Sequence, residues 1–188
     1  PDLAAVKDEL HALTERLKAA RDYAEAREAF LAHEAAYIHM ETQATLASVR
    51  HTIDTRDEFY DAEETFWNAA TPELDAYEDA WKGTMLESPF RKEFAAEYGD
   101  LMFVNAEIAR KAFSPEIIPE SQQENDLSQA YSKLIASAQI PFEGGVYTIS
   151  QLSPFKNDPD DARRLAAWQA EGAWYKEHQA EFDDIYDK

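Results

Sequence analysis

The chain has 188 residues, 45% of them apolar and 30% charged, with 18 Lys+Arg against 38 Asp+Glu for a formal charge of −20. That length and apolar share can build a substantial core, while the charge opposes phosphate backbones and anionic lipid and argues against nucleic acid or a membrane as partner. The absence of cysteine removes disulfides, thiol catalysis and thiolate metal sites together, and fits a reducing compartment, with the cytoplasm as the expected location. No run approaches the ~20 apolar residues of a membrane span. The opening PDLAAVKDEL lacks the basic and apolar regions of a signal peptide.

Only five glycines, with abundant Ala, Glu, Lys and Leu, predict helices joined by short turns. Leu3, Val6, Leu10, Leu13 and Leu17 step by three and four, as one face of a helix does. A second row runs Tyr23, Ala26, Phe30, His33, Tyr37, Met40, Ala44 and Ala47, so residues 2–50 are expected to form an antiparallel helical hairpin. Further helices are expected over 56–139, the first carrying Phe59, Ala62, Phe66 and Ala69 at about 56–70. Thr71-Pro72, Ser88-Pro89, Ser114-Pro115 and Asp158-Pro159 are each expected to open a helix, because a side-chain oxygen can cap and Pro at the first position loses no needed donor. Gly99 is expected to stop one. Ile140 and Phe142, then Glu143-Gly144-Gly145, then VYTI, predict a small β-hairpin over 140–152. A C-terminal helix is expected over 159–187, with Leu165, Trp168, Trp174, Phe182 and Ile185 on its buried side. The fold class is therefore all-α, a single bundle-like domain over 1–188 with one hairpin.

HEAAYIHM, residues 33–40, imitates a zinc-peptidase motif, but that chemistry needs two imidazoles at i and i+4. Position i+4 is Tyr37, and His39 at i+6 is turned about 240° from His33 on a helix. His33 therefore reads as a core histidine bonded to a neighbour, and a metallohydrolase built on His33, Glu34 and His39 is the least favoured reading. No Glu-x-x-His pair, phosphate loop or nucleophile elbow is present. No catalytic or metal-binding residue is assigned. The densest polar run, HTIDTRDEFYDAEE at 51–64, offers His51, Asp54 and Tyr60 as candidates to face a substrate cleft. Its structural alternative is a helix N-terminus capped by Asp54 or Thr55.

YIHMETQATLASVRHTIDTRDEFYDAEETFW, then SPFRKEFAAEYGDLMF, then FSPEIIPESQQENDLSQAYSKLIASAQIPFEGGVYTISQLSPF, occurring in this order, resemble the N-terminal third of the oligoendopeptidase F type of zinc metallopeptidase, relatives of thimet oligopeptidase. The resemblance runs from about residue 20 to 188. It implies a helical parent enzyme with a deep cleft that admits short peptides and a zinc site on a His-Glu-x-x-His helix in a C-terminal catalytic domain. No His-Glu-x-x-His occurs in this chain, so the resemblance assigns it no zinc ligand, and EFDDIYDK stops inside what reads as a helix, as a part of a longer protein would.

The resemblance implies a cleft-forming domain, inactive alone, whose partners are the C-terminal catalytic domain of the same protein and short peptides, with zinc held by that domain. Uncovered apolar surface would also favour a homodimer of the isolated domain. The rival reading is a non-catalytic acidic helical protein that binds a basic or peptide partner. A reading frame continuing to a His-Glu-x-x-His helix separates the first from the second.

Overall fold

The structure is a computed structural model and describes residues 2–188. Among these, nine α-helices and one two-stranded antiparallel sheet follow the chain in the order α1 (Leu3–Lys18), α2 (Tyr23–Ile53), α3 (Glu58–Glu87), α4 (Arg91–Tyr98), α5 (Leu101–Ala112), α6 (Ile118–Ala136), β1 (Ile140–Phe142), β2 (Gly145–Tyr147), α7 (Ile149–Lys156), α8 (Asp161–Glu177) and α9 (Gln179–Tyr186). The all-α expectation with one small hairpin holds. The chain divides into two compact units, one ending at Gln123 and the other covering Glu124–Lys188, the division falling within α6.

In the N-terminal unit, the rows read for α1 and α2 are the rows that bury, whereas the third row leaves Phe59, Ala62 and Ala69 exposed, α3 burying Trp67, Ala70 and Leu74 instead. Asp2 and Asp22 cap α1 and α2 by accepting from backbone N–H groups of the first turn. Leu10 packs in one core cluster with Met40, and Leu17 in another with Ala26, so the α1 and α2 numbers run in opposite senses and the pair is antiparallel. Helix α3 returns along α2: Arg50 pairs with Glu63 near one end, and His33 meets Glu78 near the other. Phe94 of α4 and Phe103 of α5, both fully enclosed, close the cluster around Leu17, Phe30, Trp81 and Met85.

Pro72 does not open a helix. Helix α3 runs through it for 30 residues, about 45 Å. An interior Pro forfeits a backbone bond and costs about 3 kcal/mol, but the apolar row buries both halves, Trp67, Ala70 and Leu74 in the cluster of Leu10 and Met40, and Trp81 and Met85 in that of Leu17 and Phe30. Burial over two helical halves outweighs one missing donor. The other dipeptides act as N-terminal signals with some displacement. Ser114 accepts from Glu116 at the head of a 3₁₀ turn, Pro115–Ile117, that leads into α6. Ser88 and Asp158 instead bond residues 90 and 160, and the helices begin at Arg91 and Asp161. Gly99, with φ 89°, ends α4 as expected.

The C-terminal unit is built from shorter pieces. Ile140 pairs with Tyr147 and Phe142 with Gly145, around a turn in which Glu143 (φ 47°) and Gly144 (φ 82°) are both left-handed, as a tight two-residue hairpin requires. Glu143 tolerates that backbone while its carboxylate is held by Arg163, whose Nε donates to Oε1 at 2.9 Å and Nη2 to Oε2 at 2.7 Å. The hairpin ends at Tyr147. Residues expected to continue it form α7, because Thr148 and Gln151 make a reciprocal capping box. The long terminal helix is two, α8 and α9, meeting at His178, whose Nδ1 lies 2.9 Å from the Trp174 carbonyl. Trp174 is buried as expected, but Leu165 and Trp168 are 58% and 55% exposed. The Trp168 ring is covered by Lys156 Nζ, 4.6 Å from its centroid, rather than by the core.

Candidate functional site

The N-terminal unit has an unusual interior. His33 stands on the apolar row of α2 and is 2% exposed; Glu78 stands on the facing row of α3 and is 7% exposed. Their Nε2 and Oε1 atoms lie 3.0 Å apart, although neither atom is in line for a well-directed hydrogen bond. The imidazole lies flat on Trp81, with centroids 3.8 Å apart and planes within 2°, and the ring of Tyr37 runs parallel at 6.3 Å. Lys82, one turn from Glu78, brings Nζ to 3.9 Å of its second oxygen, and Glu34 Oε1 lies 3.8 Å from His33 Nδ1. Burial by itself would lower the His33 pKa; the Glu34 and Glu78 carboxylates outweigh it and leave the pKa raised. Burial also pushes the Tyr37 hydroxyl up to about 12, helped by Glu41 and Glu78.

Above this pair, α2, α3 and α5 leave a cleft of about 310 Å³. Phe30, Tyr37, Trp81, Met85, Met102 and Phe103 give it apolar walls, and Glu34, Glu78, Lys82 and Asn105 supply its polar atoms. Such a surface can hold an apolar group beside carboxylates. The expected core histidine is thus found, and the residue the sequence reading missed is its partner. The available signal was Glu78 itself, an acid falling on the apolar row Trp67, Ala70, Leu74, Trp81, Met85.

The polar run at 51–64 is arranged differently from its one-turn pairs. Helix α2 ends at Ile53, so Asp54 is not one turn above His51 but accepts from the backbone N–H and Nε of Arg56. The backbone contact to Arg56 is the main reason the Asp54 carboxyl lies below its usual range. His51 is buried and turns to Asp61, Nε2 to Oδ1 3.5 Å. The cap of α3 is neither Asp54 nor Thr55 but Asp57, which accepts from Phe59 and Tyr60. Tyr60 is half-buried and Asp54 partly open. The structure therefore does not gather His51, Asp54 and Tyr60 into one constellation.

His33 and His39 lie on different sides of α2, one enclosed and one exposed. Among the described residues, no three His, Asp or Glu side chains gather as a metal ion requires. With Glu78 at one nitrogen and Glu34 near the other, His33 turns neither toward an open coordination position. The residues present do not fit a zinc centre. No helix among them is long and apolar enough to cross a membrane.

The sequence matches the profile of the Peptidase M3 N-terminal domain over residues 1–113. No curated protein matches it. Among solved structures it is similar to one bearing the name oligoendopeptidase F, at 35% identity and a TM-score of 0.96, the similarity covering 100% of this chain and 33% of that one. A second of the same name, from Bacillus anthracis str. Ames, is 33% identical with a TM-score of 0.96, over 100% of this chain and 34% of that one. PZ peptidase A, solved with an inhibitor, is 34% identical with a TM-score of 0.95, over 100% and 33%. The chain spans about a third of the length of these structures.

Proposed function

Because the chain belongs to the Peptidase M3 N-terminal domain family, we propose that it is the cleft-forming N-terminal part of a cytoplasmic, zinc-dependent oligoendopeptidase that hydrolyses short peptides. The observation that carries this reading is the match of the whole chain, at a TM-score of 0.96, to a third of a structure bearing the oligoendopeptidase F name. Hydrolysis depends on zinc and on residues beyond this chain, since the donors present do not fit the metal. The role of this chain is to bind and position. Its acidic surface and half-open, apolar-walled cleft suit a wall that admits peptides and repels polyanions.

Within that wall, Asp54 and Tyr60 are the two of the three candidates left partly open to meet a peptide, while buried His51 acts through Asp61 as a positioning residue. The parent polypeptide should cleave a fluorogenic short peptide and stop when zinc is chelated. Residues 1–188 alone should do neither and should bind no stoichiometric zinc. Chelator-sensitive cleavage by residues 1–188 would overturn the reading, as would a parent polypeptide that cleaves no peptide.

A further inference from the structure

Helix α2 is apolar on two sides. One row faces the core; the other, Leu31, Ile38, Leu46, Val49 and Ile53, lies roughly opposite, within a sector of about 80° at 100° per residue. Its members are between 40% (Leu46) and 75% (Ile53) exposed. This row extends some 33 Å at 1.5 Å per residue, far more than the scattered single apolar residues that ordinary surfaces carry.

The residues between these positions make the face more apolar still. Thr42 Oγ1 donates to the Ile38 carbonyl at 2.7 Å, and Thr52 Oγ1 to the Val49 carbonyl at 2.8 Å, so both hydroxyls are turned back onto their own helix. What each Thr leaves for a neighbour is mainly its methyl group. Residues 42–49 contain no charge in a chain that is 30% charged. A solvated helix face of this composition would be expected to carry Glu and Lys instead.

Resting on the reading above, we infer that this face of α2 is the docking surface for an apolar helix face from the downstream part of the same polypeptide. Two observations favour that occupant. The solved structures similar to this chain are about three times its length, so most of such a protein lies outside it. A second copy would bring another net charge of −20 into contact, which long-range repulsion opposes. An extended peptide substrate would leave its backbone N–H and C=O groups facing a surface that offers few polar partners.

The absence of cysteine supplies a test. Val49→Cys, exposed and on the outer row, adds a thiol without touching the core, and its alkylation rate can be compared in residues 1–188 and in the full-length polypeptide after subtracting the unsubstituted protein. The thiol should react freely in residues 1–188 and at least about tenfold more slowly in the full-length protein. Equal rates would overturn the proposal. So would protection within residues 1–188 accompanied by a dimer in sedimentation, or protection of the full-length protein that appears only when a short peptide is added. Strong protection in a full-length protein without peptidase activity would uphold the docking surface and remove the enzymatic reading.

Discussion

The two units hold themselves together in different ways. The N-terminal unit is a set of long helices whose apolar rows meet over many turns, with eight buried residues in one cluster and six in another. The C-terminal unit places one cluster of six buried residues under a hairpin of two three-residue strands and short helices, with Arg163 tying Glu143 of the turn to Asp158 before α8. Long rows share a loss among many neighbours. A small cluster has fewer residues to share it, and depends on particular polar links.

That contrast can be broken most directly in the C-terminal cluster. Leu152→Ala removes a fully enclosed side chain and should cost about 2–5 kcal/mol. Hydrogen exchange should rise across residues 140–177 while α1–α3 change little; a uniform rise would show that stability is not partitioned as the clusters suggest. In the N-terminal unit the comparable weakness is electrostatic. Glu78→Ala leaves His33 enclosed without its main carboxylate and should cost about 3–5 kcal/mol in chemical denaturation. The double substitution His33→Leu with Glu78→Leu should recover most of that loss, because an apolar pair removes the desolvation penalty along with the attraction. A double variant as unstable as Glu78→Ala would assign the loss to shape rather than charge.

The same pair gives the N-terminal unit a pH dependence. The His33 pKa is raised in the folded state, so its contribution is complete below the unfolded value of 6.5 and is lost as pH rises through the folded value. The melting-temperature advantage of the unmodified protein over His33→Gln should therefore shrink from pH 6 toward pH 9. An advantage that grew with pH would mean the imidazole is held neutral. The smallest effect is local: Asp57→Ala removes the cap of α3 and should cost about 1 kcal/mol by thermal melting. If Tyr60 meets peptide, Tyr60→Phe in the parent should raise KM by about 2–10-fold, the worth of one hydrogen bond. An unchanged KM would place Tyr60 outside the cleft.

How legible each feature was in the sequence follows from the same physics. The α2 row from Tyr23 to Ala47 and the α1 row around Leu10 and Leu17 are periodic, and periodicity survives any tertiary arrangement. Pro72 was misleading because a local signal was overruled by burial on both sides of it. Trp168 was misleading because its place in a helix argued for the buried side, while the ring stays more than half exposed with Lys156 Nζ over it. The hairpin turn was legible through Glu143-Gly144-Gly145, but its end was not, since VYTI carries the β-branched and aromatic residues of a strand and Thr148 is recognised as a cap only with Gln151 three residues on. His33 could be placed in the core from its row. Its partner stands 45 positions away, and only the pairing of two facing rows brings Glu78 to it.

The stacked imidazoles also determine what the protein emits when excited by ultraviolet light. Trp81 lies against His33 at 3.8 Å and Trp174 against His178 at 4.4 Å, and a protonated imidazole at such range accepts an electron from the excited indole. With its pKa raised, His33 is the imidazole that dims its tryptophan, Trp81, leaving Trp67, enclosed in the N-terminal unit, and Trp168, more than half exposed in the C-terminal one. Their emission falls at shorter and longer wavelength respectively. The N-terminal unit thus carries its own optical report: unfolding moves Trp67 to longer wavelength and releases Trp81 from its imidazole, with no label attached.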